Sequence, residues 1–226
     1  MKKAVCLLSG GLDSSTVLAI AKSEGYSIFA LTVDYGQRHK KEIGAAKNVA
    51  KFFGVKEHKT IRVPLSKFGG SSLVDKKMPI PQNRKMPKSD LKIPSTYVPA
   101  RNIIFLSLAF AYAEAKRADA VFIGANAIDY SGYPDCKPEF FDAFREALAE
   151  GTKSGRKILL ETPLVSMTKA QIIRTGVKLG VPYGLTWSCY QGGKKPCNRC
   201  DSCLLRAKGF KQVGMDDPLF GGGKMA

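Results

Sequence analysis

The chain is 226 residues long and 44% hydrophobic, which is enough for one domain with a buried core and excludes a globally disordered protein. No apolar run approaches the roughly 20 residues that cross a bilayer, so we predict no membrane-spanning helix. The formal net charge is +17, but the basic residues are spread along the chain and match no nucleic-acid-binding motif. We therefore expect small anionic substrates rather than nucleic acid.

The first 60 residues alternate between apolar runs and amphipathic stretches. Apolar runs at 3–8, 27–33 and 57–63 predict strands, and the stretches at 13–24 and 39–53 predict helices between them. This strand–helix–strand order implies right-handed crossovers and a parallel sheet.

Residues 66–99 interrupt this alternation with five prolines and six lysines. A segment of this length without regular structure is usually functional or disordered. Two interpretations are open: a basic lid over the mouth of a site, or a mobile surface loop.

Regular elements resume after residue 100. The pattern predicts a deeply packed helix over 101–118, a strand over 118–126, a helix over 138–150 and a fifth strand within 156–164. A last helix begins at Thr168, which forms a capping box with Gln171, and ends at Gly180.

Together these elements predict an α/β fold: an open, mostly parallel five-stranded sheet with helices on both faces, over residues 1–185. A cysteine-rich segment is expected over 186–210, followed by a flexible tail over 211–226.

The sequence LSGGLDSS, residues 8–15, joins the first strand to the first helix. Its glycines let backbone N–H groups approach an anion, and the helix N-terminus adds a favourable dipole. The lysine of a Walker A loop is absent, which favours pyrophosphate as a leaving group over γ-phosphoryl transfer. A simple tight turn is the alternative.

Two basic residues elsewhere are candidate phosphate ligands. Lys169 lies in the first turn of the last predicted helix, where a cation opposes the helix dipole, so we expect an anion beside it. Arg101 begins the apolar helix at the sequence VPARN. The alternative for each is a solvent-facing charge.

The six cysteines are unevenly distributed. Cys6 lies in the first predicted strand and Cys136 stands alone, whereas the other four follow the spacing Cys-x7-Cys-x2-Cys-x2-Cys. These four are Cys189, Cys197, Cys200 and Cys203. A disulfide framework would spread cysteines more evenly, so the pattern favours the cytoplasm, which is reducing, and one metal site.

Four thiolates at this spacing can converge on one tetrahedral ion, which favours structural zinc. An iron–sulfur cluster is the alternative, although the fourth cysteine lies upstream and no Cys-Pro follows. We expect nearby cations to offset the thiolate charge, namely Lys194, Lys195, Arg199 and Arg206.

Residues 126–144 follow the carboxyl end of the fourth predicted strand, where ligands bind in open α/β sheets. The stretch concentrates aromatic, hydroxyl and carboxylate groups: Asp129, Tyr130, Ser131, Tyr133 and Asp135. Such groups suit a planar, purine-like ring with an amidine edge, or else form an aromatic packing loop.

The motif SGGLDSS resembles the signature of the ATP pyrophosphatase (PP-loop) superfamily, whose members split ATP between the α- and β-phosphates. A longer series of motifs occurs in the order SGGLDSST, VDYGQRH, VPARN, DYSGYPDC, PL…TK and the four spaced cysteines. Together they resemble the 7-cyano-7-deazaguanine synthase family of the queuosine pathway, from about residue 3 to residue 210.

The resemblance implies ATP, Mg²⁺ and one Zn²⁺ per subunit, and a homodimer. It implies that ATP adenylates the carboxylate of 7-carboxy-7-deazaguanine and that ammonia then displaces AMP to give an amide. A second ATP activates the amide oxygen, and loss of AMP leaves the nitrile. The chain has no room for a glutaminase domain, so we expect free ammonia as the nitrogen donor.

The resemblance also implies roles for individual residues. The implied ATP-binding residues are Leu8, Ser9, Gly10, Gly11, Leu12, Asp13, Ser14, Ser15, Asp34 and Lys169. The implied catalytic residues are Asp13, Ser14, Arg101 and Lys169. The implied substrate-binding residues are Arg101, Asn102, Asp129, Tyr130, Ser131, Tyr133 and Asp135. The four spaced cysteines are the implied metal ligands.

Two other functions stay open. A PP-loop enzyme that modifies tRNA directly, by thiolation or lysidine formation, agrees with the basic charge, and Cys136 would then carry sulfur. A non-catalytic nucleotide sensor would use the fold only to bind ATP.

Overall fold

The computed structural model describes residues 1–38, 40–84, 93–128 and 132–220. Within these ranges, five strands form one sheet in the order β3-β2-β1-β4-β5. The strands are β1 Lys3–Leu7, β2 Ser27–Asp34, β3 Glu57–Arg62, β4 Ala120–Phe122 and β5 Leu159–Glu161. All four neighbouring pairs are parallel, which confirms the predicted fold class.

Six α-helices connect or follow these strands in the described residues. They are α1 Leu12–Ser23, α2 Lys41–Phe52, α3 Arg101–Lys116, α4 Pro138–Gly151, α5 Lys169–Lys178 and α6 Asp201–Gln212. None of the helices in the described ranges combines the length and apolar character needed to span a bilayer.

The side chains of β1 show how the sheet is buried on both faces. Val5 and Leu7 pack with α3 and α4, whereas Ala4 and Cys6 pack with α1, α2, α5 and α6. Because successive strand residues point to opposite faces, one apolar run supplies both cores.

The strand order places a topological switch point beside β1. The chain runs from β1 to β2 and β3 on one side, and then crosses back to β4 and β5 on the other. Ligands bind at the carboxyl ends of the strands at such a point, because the flanking connections diverge there and leave a crevice.

Parts of the segment 66–99 pack against the rest of the protein, whereas others, such as Phe68, are exposed. Ser71, Ser72 and Leu73 are buried. Farther along, the Asn83 N–H donates to the Arg199 carbonyl at 2.8 Å, and Arg84 pairs with Asp201 at 2.8 Å. This segment therefore braces the cysteine-rich part of the chain; residues 85–92 lie outside the described residues.

The end of the chain also differs from the predicted flexible tail. Helix α6 extends to Gln212, and Asp217 is buried in an ion pair with Arg206. Burial of that pair anchors residues 213–220 to the body of the protein; residues 221–226 are not described.

Candidate functional site

A cavity of about 230 Å³ opens at the switch point. Its floor comes from the carboxyl ends of three strands, through Leu7, Thr32 and Ile123. The glycine–hydroxyl loop and residues from α2 and α3 contribute to the rest of its wall. The cavity therefore combines hydroxyl, amide and charged groups with apolar side chains in one wall.

The glycine–hydroxyl loop is held by close backbone packing on two sides. Gly10 has φ +82°, and a Cβ there would lie 2.3 Å from the Glu42 carbonyl oxygen and 2.4 Å from the Ala46 nitrogen in α2. At the end of β4, a Cβ on Gly124 would lie 2.9 Å from the Ser14 nitrogen. Glycine at both positions lets the loop lie between α2 and β4.

The N-terminus of α1 is open to an anion. Gly11 is the N-cap and makes no side-chain capping bond. The hydroxyls of Ser9 and Ser14 lie 3.0 Å apart, and both residues line the cavity. First-turn N–H groups, two hydroxyls and the positive end of the helix dipole thus converge on one place, which is an arrangement that binds phosphate.

An ion pair joins opposite ends of the chain at this loop. The Lys169 ammonium donates to both carboxylate oxygens of Asp13, at 2.7 and 2.9 Å, and Lys169 is only 7% exposed. The Asp13 carboxylate is therefore the anion that we expected beside Lys169, whose charge opposes the dipole of α5. The solvent-facing alternative is wrong for Lys169.

The cavity contains a second arrangement of opposite charges. Glu42, in the first turn of α2, accepts a hydrogen bond from the Gln37 amide at 2.9 Å, and Gln37 in turn accepts from the Tyr35 N–H at 2.9 Å. Arg101 lies over the Tyr35 ring at 5.8 Å. Burial raises the pKa of the Glu42 carboxyl to about 7, although Arg101 and Gln37 act in the opposite direction.

The structure brings most of the expected ATP-binding residues to the cavity. Leu8, Ser9, Gly11, Leu12, Asp13, Ser14 and Lys169 line it. Gly10 and Ser15 lie behind the lining: Gly10 packs on α2, and the Ser15 hydroxyl donates to the Gly11 carbonyl at 2.8 Å.

Asp34 is not among the cavity-lining residues. It lies at the end of β2 and pairs instead with Lys40 at 3.3 Å, and it also accepts a hydrogen bond from the Gly36 N–H. In the structure its carboxylate is thus engaged in a local turn, and its role at a nucleotide site stays a prediction.

The expected substrate-binding residues divide into three groups. Arg101, Asn102 and Tyr133 line the cavity. Asp135 does not, because it is buried and its carboxylate accepts from the Asn102 N–H at 3.0 Å in the first turn of α3. Asp129, Tyr130 and Ser131 lie outside the described residues.

The four spaced cysteines converge, with every pair of sulfurs within 4.8 Å. Cys189, Cys200 and Cys203 are buried and Cys197 is partly buried. Backbone N–H groups of Cys197 and Cys200 donate to sulfurs at 3.3 Å. Hydrogen bonds between the sulfurs lower the pKa of Cys189 and raise those of Cys200 and Cys203. The convergence of four sulfurs within this distance fits one metal ion.

Arg206 does not offset the thiolate charge as the sequence suggested. It is 2% exposed, and its guanidinium binds both oxygens of Asp217 at 2.7 and 2.8 Å. It also donates to the Thr186 hydroxyl at 2.6 Å and the Ser188 hydroxyl at 3.3 Å. Arg206 therefore holds the segment that lies between the cysteines and the cavity.

Trp187 links the cysteine segment to the glycine–hydroxyl loop. Its backbone N–H donates to the Gly10 carbonyl at 2.8 Å, and its indole N–H donates to the Cys189 carbonyl at 3.0 Å. The two sites that the sequence presented separately are thus joined through Trp187.

Sequence reasoning missed several cavity-lining residues, including Gln37, Glu42, Cys136, Trp187, Ser188 and Arg206. Gln37 belongs to the motif VDYGQRH, which was a usable signal. Glu42 had no such signal in the sequence, because a glutamate in the first turn of an amphipathic helix is usually a solvated charge.

Comparisons with known proteins agree with this geometry. A family model described as "Queuosine biosynthesis protein QueC" matches residues 3–214. The 7-cyano-7-deazaguanine synthase of Thermoplasma acidophilum is 56% identical over 225 residues, covering 96% of this chain and 91% of that protein. That of Acetivibrio thermocellus is 51% identical over 222 residues, covering 97% of each.

Among solved structures, a 4-thiouridine synthetase–RNA complex with bound ATP has a TM-score of 0.51 and 20% identity, covering 94% of this chain and 50% of that one. This likeness concerns the fold alone. The family match over nearly the full length, with relatives above 50% identity, is decisive: the chain belongs to the QueC family of queuosine biosynthesis proteins.

Proposed function

We propose that this chain is an ATP-dependent ligase that converts 7-carboxy-7-deazaguanine and ammonia to 7-cyano-7-deazaguanine in queuosine biosynthesis. The strongest support is the family match over residues 3–214, because this range includes every element that lines the cavity. The cavity joins the glycine–hydroxyl loop to a wall of further polar and apolar side chains. This arrangement suits a reaction between a nucleotide and a second small molecule.

The glycine–hydroxyl loop would hold the phosphates of ATP. The first-turn N–H groups of α1 and the hydroxyls of Ser9 and Ser14 would contact the β-phosphate, which leaves as pyrophosphate. In this proposal the Lys169 ammonium turns from Asp13 to a phosphate oxygen when ATP binds. Asp13 is then released to hold Mg²⁺, a hard cation that prefers carboxylate and phosphate oxygens.

Chemistry at this site would depend on positioning and charge stabilisation rather than on a side-chain nucleophile. ATP itself generates the electrophile, because adenylation makes the acceptor's carboxylate oxygen part of a good leaving group. The chain's residues would align the carboxylate with the α-phosphorus and stabilise the charge that develops on pyrophosphate.

The acceptor would occupy the compartment lined by Arg101, Asn102 and Tyr133. Tyr133 is fixed there by a 2.7 Å hydrogen bond between its hydroxyl and that of Thr96. Asp129, Tyr130 and Ser131 belong to the same proposed subsite, which would contact the purine-like ring.

The four converging cysteines would hold zinc in a structural role. Sulfurs within 4.8 Å of one another suit a single ion, whereas an iron–sulfur cluster needs its thiolates farther apart. Zinc there would supply folding energy and no chemistry, and metal analysis of the purified protein tests the identity. A homodimer in the cytoplasm completes the proposal, and light scattering after gel filtration tests the dimer.

The test is an incubation of the purified chain with ATP, Mg²⁺, ammonium and 7-carboxy-7-deazaguanine, followed by mass spectrometry. We expect the nitrile, with two AMP and two pyrophosphate released per product. Omission of ammonium should leave adenylation without nitrile. No turnover of this acceptor would overturn the proposal.

Direct tRNA modification is the second candidate, favoured by the +17 charge. Against it, Cys136 is buried and burial raises the pKa of its thiol to about 12, so it is a poor sulfur nucleophile at neutral pH. ATP turnover that requires tRNA would support this candidate, and ATP binding without turnover of any acceptor would support a sensor.

A further inference from the structure

Two described residues that line the cavity carry carboxyl groups, and they are differently engaged. Both oxygens of Asp13 accept from Lys169. Glu42 instead accepts a neutral amide hydrogen bond from Gln37, whose own orientation is fixed by the Tyr35 backbone N–H. The Glu42 carboxyl group is thus held in a defined orientation in the cavity by a neutral amide rather than by a lysine.

The proposed function requires a proton acceptor, and the following inference rests on it. When ammonia attacks the adenylated carboxylate, a C–N bond forms, the C–O bond to AMP breaks, and the nitrogen loses a proton to give the amide. When the amide oxygen is adenylated and AMP leaves, the C–O bond breaks, the C≡N bond forms, and the nitrogen loses its two remaining protons.

We propose that Glu42 accepts the protons released from nitrogen in both halves of the reaction. It lies in the cavity wall next to the glycine–hydroxyl loop, since its carbonyl oxygen is the atom against which Gly10 packs. The adenylated carbon must lie beside the same loop, because the loop holds the phosphates. A proton on the attacking nitrogen then has a carboxylate nearby.

The other groups of the described cavity wall are poor acceptors. Arg101 and Lys169 are cations. Burial raises the pKa values of the Tyr35 and Tyr133 phenols and of the Cys136 thiol, so all three remain protonated at neutral pH. His58 is not in the wall and bonds the Thr32 hydroxyl from β3.

The surroundings of Glu42 suit repeated proton transfer. The groups that face it are Arg101 from α3, Gln37 from the loop after β2, and Asp34 at the end of β2. Arg101 and Gln37 lower the pKa of the Glu42 carboxyl, but burial outweighs them and raises it to about 7. Asp34 acts in the same direction as burial. A base with a pKa near the working pH can accept a proton and then release it to solvent.

The test compares Glu42→Gln with the parent in two assays. The first measures pyrophosphate exchange into ATP that depends on the carboxylate acceptor, a step that releases no N–H proton. The second measures amide and nitrile formation. We expect exchange to stay within about 3-fold, and nitrogen incorporation to fall by about 100-fold or more. Glu42→Asp should restore part of that loss, and the exposed Glu146→Gln is the control.

The pH profile adds a readout that a structural role would not change. At constant un-ionised ammonia, the parent rate should fall as the pH drops below about 7, since Glu42 becomes protonated. Glu42→Gln should lack this decline.

Three results would overturn the inference: parental amide formation by Glu42→Gln, an equal loss in both assays, or a parental pH profile in the variant. If the parent itself shows no acceptor-dependent exchange, the proposed function fails and the inference falls with it.

Discussion

The glycine–hydroxyl loop and the cysteine cluster suit ligands of opposite charge, and they are built in opposite ways. The loop offers N–H groups and hydroxyls, and its shape depends on α2, β4 and Trp187, which lie far away in sequence. The cluster offers four thiols from residues 189–203, and the N–H groups that support its sulfurs come from the same stretch.

This difference determines what each site can withstand. A site made from one short segment loses its function when a ligand is removed, whereas a site assembled by packing is damaged by an added atom. The contrast can be tested by removing a sulfur from the cluster and adding a methyl group to the loop.

Removal of one sulfur should have the largest effect. Cys200→Ala breaks the metal site, where metal binding supplies folding energy, and should lower the free energy of unfolding by about 3 kcal/mol or more. Chemical denaturation of the metal-loaded parent and variant measures this loss. Equal midpoints, with the variant lacking metal, would contradict a structural metal.

Addition of one methyl group to the loop should rank next. Gly10→Ala strains a φ of +82° and collides with α2, which should cost about 2–5 kcal/mol. Gly25→Ala is the matched control, because its φ is +83° but no atom lies within 4 Å of the added Cβ. It should cost only the backbone strain, about 1–2 kcal/mol. Similar losses in thermal or denaturant melts would show that the collision is relieved by movement of α2.

Removal of one hydroxyl from the loop should affect catalysis more than folding. Ser14→Ala deletes a hydroxyl that lines the cavity, so adenylation should slow about tenfold, equivalent to about 1.4 kcal/mol. Ser23→Ala is the control on the same helix, since its exposed hydroxyl only donates to the Ile20 carbonyl. Pyrophosphate exchange measures both variants, and parental exchange by Ser14→Ala would remove that residue from the site.

We expect the smallest effect at the ends of α3, the helix that begins with Arg101. Ala100, the N-cap of α3, has φ +55°, a left-handed conformation that favours glycine. Ala100→Gly should raise the free energy of unfolding by about 0.5–1 kcal/mol, because relief of strain exceeds the added entropy of the unfolded chain. Arg117→Gly at the other end of α3, with φ +52°, should give a similar gain. A loss in both variants would contradict backbone strain as the cause.

The sequence predicted the sheet well because strands buried on both faces form apolar runs that hardly depend on tertiary detail. The predicted runs at 3–8 and 27–33 correspond closely to β1 and β2. The fourth strand was predicted over 118–126 but is only Ala120–Phe122, since the residues after it leave the sheet to line the cavity. Helix α6 was missed because it overlaps the spaced cysteines, contains Gly209 and is stabilised by packing on α5.

The parts of the site that the sequence predicted are those formed by residues close together in the chain. The cysteine cluster and the loop were visible as spacing and signature, because their residues are neighbours in sequence. Glu42 and Arg206 were not predicted to lie at the site, because only the folded chain brings them to the cavity. The structure gives Asp135 a contact that the sequence did not predict, because its carboxylate accepts a hydrogen bond at the start of α3.

Trp187 gives the protein an internal reporter of both sites. It is the only tryptophan in the chain and is 8% exposed, with the Lys41 ammonium 4.4 Å from the centre of its ring. Its two nitrogen donors contact the loop at Gly10 and the cluster at Cys189. Intrinsic fluorescence should therefore respond to the proposed nucleotide binding and to metal loss from a single position, without any added label.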